Sequence, residues 1–215
     1  MTTDASPPAE PTCASAPQPR LRAVRTADAP AMRDYLQGLS GDSRGLRFHG
    51  GVNPASERLL AHLTQADGER HIALVAVLAL DDGDLIVGEA RCVRGAGDHS
   101  AEFAISVADA WQGRGVARLL LRALLDAAAS AGVQAVAGDV LLRNGRMAAF
   151  MQREGFAPGA SAEAGTARWL CRLQASGRPL AGPVDLKHAG ATAGAADRLL
   201  RETTARDPGV GLAGR

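Results

Sequence analysis

Between residues 20 and 175 the spacing of hydrophobic positions changes period several times, and each change marks an element. "LRAVR" (Leu21–Arg25) alternates as a strand does, and Asp28 follows where a helix can start. Met32, Tyr35, Leu36 and Leu39 then recur at helical spacing. Pro54 takes the first-turn position of a second helix, with Leu59, Leu60 and Leu63 as its stripe. Three extended runs come next: "HIALVAVLAL", "LIVGEARCV" and "SAEFAISV". The turn-rich "DDGD" and "RGAGDH" separate them, which predicts an antiparallel meander. In the third run Phe103, Ile105 and Val107 alternate with Glu102, Ala104 and Ser106, so the two sets face opposite sides. The helical period returns at Val116: Val116, Leu119, Leu120, Ala123, Leu124 and Ala127 form one stripe. Arg118, Arg122 and Asp126 lie on the other face, and Gly132 stops the helix. A strand at "VQAVAGDVL", a helix over Gly145–Arg153, "GF" and a last strand at "ARWLCRLQ" complete the pattern. A meander followed by strand–helix–strand–helix–strand implies an α/β fold, a mixed sheet covered by helices, and no internal repeat is visible.

Outside this region the periodicity stops. Residues 1–19 hold five prolines and almost nothing bulky, so they predict a disordered leader. Gly, Ala and Pro return over 176–215, which reads as a tail in which Ala195–Arg206 predicts a short helix. One domain over 20–175 fits the length of 215 residues.

Charge narrows the class of partner. The 24 basic and 23 acidic residues nearly cancel, which argues against a broad surface for nucleic acid or an anionic membrane. No apolar run approaches the ~20 residues that span a bilayer, and the first residues lack the layout of a secretion signal. Cys13, Cys92 and Cys171 are odd in number and lack metal-ligand spacing, so no disulfide framework or metal site is expected and a cytoplasmic location is the default.

Candidate chemistry concentrates at "DAWQGRGVARLLLRALL" (Asp109–Leu125). Glycine costs roughly 1 kcal/mol relative to alanine inside a helix. Gly113 and Gly115 instead stand at the mouth of one, where amide N–H groups have no intrahelical partner and the helix dipole is positive. Bare backbone there admits a phosphate oxygen, although a tight strand-to-helix corner alone also takes glycines. The stretch is neither a P-loop nor a G-x-G-x-x-G fingerprint, since Arg118 holds the last position.

"QGRGVA" fits Gln/Arg-x-x-Gly-x-Gly/Ala, and "NGRMAAFMQREGF" follows about thirty residues later. Together with the meander, these residues resemble the GNAT superfamily of acetyl-CoA-dependent N-acetyltransferases over roughly Leu21–Ala175. "SRGLRFHGG" and "AEFAISVADAWQGRG" are similar to one branch, the GNAT domain of bacterial protein-lysine acetyltransferases. The resemblance implies a mostly antiparallel mixed sheet of GNAT type. It implies that Gln112, Gly113, Arg114, Gly115, Val116 and Ala117 hold the coenzyme diphosphate. Ile105 and Val107 would lie along the pantetheine arm, where an amide can polarise the thioester carbonyl. Asn144 matches the family asparagine near that arm, with an ordinary helix N-cap as the other reading.

The implied acceptor is a primary amine, a protein lysine on the branch resemblance or else a small-molecule amine. Oligomeric state is not legible. A lysine is only about one part in a thousand neutral near pH 7.4, so a base is needed. Glu102 is the candidate, off the core face of its strand and matching a glutamate of that branch. A solvated strand-edge carboxylate is the plainer reading. Glu89 is the reserve, and His49 and His71 are further titratable groups. Many family members place a tyrosine four residues before the Gly of "GF". Here that position is Met151, and the sole tyrosine is Tyr35 in the first helix. A non-catalytic acyl-CoA-binding module would keep the Gly113–Ala117 corner without needing Glu102. A nucleotide-binding protein would use the corner for ATP.

Overall fold

The three extended runs over residues 71–107 become three long strands, β2 (His71–Leu80), β3 (Gly83–Arg94) and β4 (Ser100–Val107), paired as an antiparallel meander. The computed structural model describes residues 18–179 apart from 51, 82, 96, 160–162, 175 and 176. The leader is thus almost wholly, and the tail with its expected helix largely, outside the described residues. β1 (Arg20–Ala23) extends the meander on one side. On the other side lie β5 (Ala135–Leu141), β7 (Thr166–Arg172) and the short β6 (Ala157–Gly159). The order is β1-β2-β3-β4-β5-β7-β6, and only β4 and β5 run parallel. A parallel pair requires a crossover, which α4 (Val116–Ser130) provides. The sheet is the mixed, mostly antiparallel one expected.

Two cores cover its faces. On one, Leu120, Leu121, Leu124 and Leu125 of α4 and Met151 of α5 (Gly145–Arg153) pack on Phe103, Ile105 and Val107. On the other, Met32 and Leu36 of α1 (Ala29–Gly38) and Leu59, Leu60 and Leu63 of α3 (Glu57–Thr64) pack on Val75 and Val77. The strand alternation thus puts Glu102 and Ser106 on the α1–α3 face, as the sequence indicates.

Three local expectations need correction. Leu119 is 51% exposed, whereas Leu121, Leu125 and Ala128 are buried, so the α4 stripe is rotated from the one read in the sequence. The second helix begins at Glu57 rather than at Pro54, because Ser56 caps it by accepting from the Leu59 amide. Residues 41–48, for which no element was expected, form a helix of their own, α2 (Gly41–Phe48). Ser40 caps it, and Asp109 clamps its start by accepting from the Ser40 amide and both serine hydroxyls of Ser40 and Ser43.

His62 and His71 stack with ring centroids 5.2 Å apart on the α3 side. Burial, and then the nearby Arg91 charge, lower both to about 4. Arg91 donates to His71 Nε2 at 3.2 Å, which fixes a neutral ring. Because the folded values lie below the ordinary histidine value of about 6.5, the unfolded chain binds more protons between these limits. Stability is therefore complete above about pH 6.5 and falls as pH drops towards 4. Urea midpoints measured from pH 7.5 to 4.5 should show this decline, and a His62→Leu/His71→Leu variant should flatten it.

Candidate active site

β4 and β5 are paired only from Ser100–Ala135 to Glu102–Ala137. Beyond that point the strands part, and among the described residues the β4 edge from Phe103 to Val107 has no β5 partner. An unpaired strand edge offers backbone donors and acceptors to an extended ligand. The opening leads into a cleft of about 680 Å³. Its walls are Ile105–Val107 of β4, the corner before α4, the start of α5 and one face of α2.

The corner answers what the two glycines do. Gly113 and Gly115 have φ of 77° and 85°, a left-handed backbone that favours glycine, and Gly115 is the residue that caps α4. A Cβ at Gly115 would meet nothing within 4 Å, and one at Gly113 would meet only Arg146 at 3.8 Å. The glycines thus make a sharp turn and also leave open space over the helix mouth. The first intrahelical bond runs from the Leu119 amide to the Gly115 carbonyl, so the amides of Val116, Ala117 and Arg118 precede the ladder. Gln112 braces the corner by donating to the Val107 carbonyl at 3.1 Å, and Arg146 donates to its Oε1 at 2.8 Å.

Of the residues singled out in the sequence, Ile105, Val107, Gln112, Gly113, Gly115, Ala117 and Asn144 meet in the cleft. Arg114 is placed differently, its guanidinium over the Trp111 ring at 4.9 Å. Val116 is 2% exposed with its side chain in the core, leaving only its backbone at the corner. Asn144 is the N-cap of α5, its side chain accepting from the Met147 amide at 3.1 Å, while also lining the cleft. The two readings of Asn144 are compatible. Sequence reasoning missed the arginines: Arg47, Arg118, Arg143, Arg146 and Arg153 line the cleft against Asp42 and Asp109. Ion pairs with Glu89, Glu154 and Asp42 offset Arg47, Arg118 and Arg143, and Arg146 and Arg153 of α5 add positive charge that suits an anionic ligand. Helical spacing from Asn144 onward could have signalled Arg146 and Arg153.

Glu102 stands where β4 and β5 part, on the opposite face of β4 from Phe103 and Ile105. It is 8% exposed, and Arg168 of β7 approaches its Oε1 at 3.2 Å while also binding Asp139 of β5 at 2.6 Å. It is not part of the cleft wall.

Glu89, the reserve base, is tied up. Oε1 accepts from Arg47 Nε at 2.7 Å and from the Ser106 hydroxyl at 3.2 Å, and Oε2 accepts from Arg91 Nε at 2.9 Å. Burial alone would raise its pKa, but the two guanidinium charges hold it at about 2. A carboxylate so acidic is a poor proton acceptor. Tyr35 does not replace the absent family tyrosine. Its hydroxyl bonds Ser106 Oγ at 2.8 Å, and burial and the Glu89 charge push its pKa far above the ordinary tyrosine value. Met151 is fully buried in the α4 core. His71 lies with His62 away from the cleft, and His49 is the left-handed residue that ends α2. Among the described residues no three His, Cys, Asp or Glu side chains could hold a metal, and no helix is long and apolar enough to cross a membrane.

A sheet parted next to an open glycine corner at a helix mouth suits a ligand with an extended arm and an anionic end. The chain belongs to the acetyltransferase (GNAT) family, whose match spans residues 44–156. An acetyltransferase of Pseudomonas aeruginosa is 35% identical over 109 residues, covering 50% of this chain and 58% of that protein. This chain therefore spans a little over half of that relative. The GNAT domain of S. lividans PAT superposes with a TM-score of 0.67 at 29% identity, covering 72% of this chain and 90% of that one. A Salmonella typhimurium protein described as a putative acetyltransferase with its cofactor acetyl-CoA shares the fold, with a TM-score of 0.56 at 18% identity over 77% of this chain and 99% of its own.

Proposed function

We propose that the chain transfers the acetyl group of acetyl-CoA to a primary amine by direct attack, with both substrates held together. The observation that carries this reading is the unpaired β4 edge ending at the open Gly113–Gly115 corner. The residues fit the coenzyme: corner amides and cleft arginines for its phosphates, and the Ile105–Val107 edge for its extended arm. When bound, acetyl-CoA supplies the activated acetyl group.

The chain's own part is to position and deprotonate. Keeping a lysine neutral near pH 7.4 costs about 4 kcal/mol, and Glu102, at the point where the strands part, takes the ammonium proton directly or through one water. Glu89 is excluded from that task by its two arginines. No acid is required at the Met151 position, since a free thiolate of pKa near 8.5 departs unaided. The acceptor approaches over the α1–α3 face. A protein lysine is the acceptor that the branch resemblance favours, and the likeness to the domain of S. lividans PAT supports that branch.

The test is a bulky residue at the corner. Gly115→Val forces a β-branched side chain into a left-handed backbone and fills the space over the helix mouth. Calorimetric titration with acetyl-CoA should show affinity at least tenfold weaker, with the fold retained by circular dichroism. Unchanged affinity would exclude this corner as the coenzyme site.

A further inference from the structure

Glu102 occupies the last position at which β4 is paired with β5, and a long side chain there is free to turn unless something holds it. The group that holds it comes from the far side of β5. Arg168 of β7 stands directly across from Asp139 of β5, and Glu102 directly across from Ala137. Glu102, Ala137, Asp139 and Arg168 therefore share one face of the sheet. From β7 to β4 is two strand spacings, about 10 Å, which an arginine and a glutamate side chain close between them. The strand they cross presents only the methyl group of Ala137 beside Glu102. Arg168 Nη1 donates to Asp139 Oδ2 at 2.6 Å, and Nη2 donates to Glu102 Oε1 at 3.2 Å. The three charged side chains are at most 19% exposed, so these contacts are screened less than surface pairs.

The buried carboxylates of β3 and β4 are thus held in different ways. Glu89 is bracketed by two guanidinium groups, one on each of its oxygens. Arg168 is instead shared between Glu102 and Asp139, and its shorter bond goes to Asp139. A planar guanidinium pinned at one nitrogen presents the other in a fixed direction. We infer that Arg168 is a positioning residue for the transfer: braced by Asp139, it aims the Glu102 carboxylate at the place where the acceptor amine arrives. Asp139 offsets the Arg168 charge, so this cation orients the carboxylate without capturing it as the two arginines capture Glu89. The inference rests on the amine-transfer reading above, with Glu102 as the base.

The experiment is a double-mutant cycle on the full chain, with acetyl-CoA and a single-lysine peptide as acceptor. Arg168→Gln should lower kcat at least tenfold, while KM for the peptide and affinity for acetyl-CoA stay within about twofold. In the Glu102→Gln background the same substitution should cost less than about twofold, since the carboxylate that Arg168 aims is gone. If Arg168→Gln does not fold, Asp139→Asn takes its place in the cycle. It keeps the cation and removes only its brace, and kcat should fall at least threefold. An equal loss of kcat with and without the Glu102 carboxylate would mean a purely structural ion pair and overturn the inference. So would wild-type kcat in Arg168→Gln alongside an impaired Glu102→Gln, a result that leaves the base reading intact. Wild-type kcat in Glu102→Gln, or a peptide left unacetylated by the unaltered chain, would remove the reading itself and this inference with it.

Discussion

Glu89→Ala is expected to destabilise the fold by about 3–5 kcal/mol, the cost of leaving a buried charge without its counter-ion. Here two guanidinium groups, one from α2 and one from β3, would face each other with nothing between them. The loss should appear as a lower urea midpoint with an unchanged slope, the mark of a stability change without a change in compactness. Acid should act in the same direction. Because the folded carboxyl sits at about 2, below its ordinary value, the contribution of its charge is present above about pH 4.5 and fades as pH falls towards 2. Replacing the whole network with apolar residues of similar size, Arg47→Met, Glu89→Leu and Arg91→Met together, should recover most of the stability, since burying ions is itself expensive. A cost below about 1 kcal/mol for Glu89→Ala would mean that water reaches the arginines, contrary to their burial.

This network also marks where the sequence stopped being informative. The central strands were legible as apolar runs bounded by turn residues, as expected of strands buried on both faces, and α4 through its period of 3.6. The glycine corner was legible because few other residues fit φ near 80°. α2 was hidden. Gly41, Asp42, Ser43 and Gly45 are poor helix formers, and the helix exists because Ser40 caps it and Asp109, far along the chain, clamps its start. The ion pair of Arg47 was hidden for the same reason, since its partner Glu89 lies 42 residues away. Likewise nothing local shows that Glu102 meets Arg168, which reaches it from a strand two positions over in the sheet. The rotation of the α4 stripe has a similar origin. Which leucines face inward is decided by the sheet beneath, and Leu119 alone cannot report it.

Glu102→Gln should lower kcat/KM by about 10²–10⁴-fold at neutral pH, the usual contribution of a positioned base. The substitution is mild structurally, because glutamine keeps an oxygen that can accept from Arg168, and Arg168 retains Asp139. Acetyl-CoA affinity should therefore stay within about twofold, and the urea midpoint should move little. The fall should lie in kcat, because the base acts on an acceptor already bound. pH gives the sharper test. Raising it from 7.4 to 9.4 increases the neutral fraction of a lysine of pKa ~10.4 about a hundredfold without help from the protein. The deficit of the variant should shrink over that range, because the medium performs the deprotonation that Glu102 no longer does. If the deficit stayed constant, the glutamate would be holding the acceptor rather than taking its proton. Unchanged acetylation at pH 7.4 would remove Glu102 from the chemistry altogether.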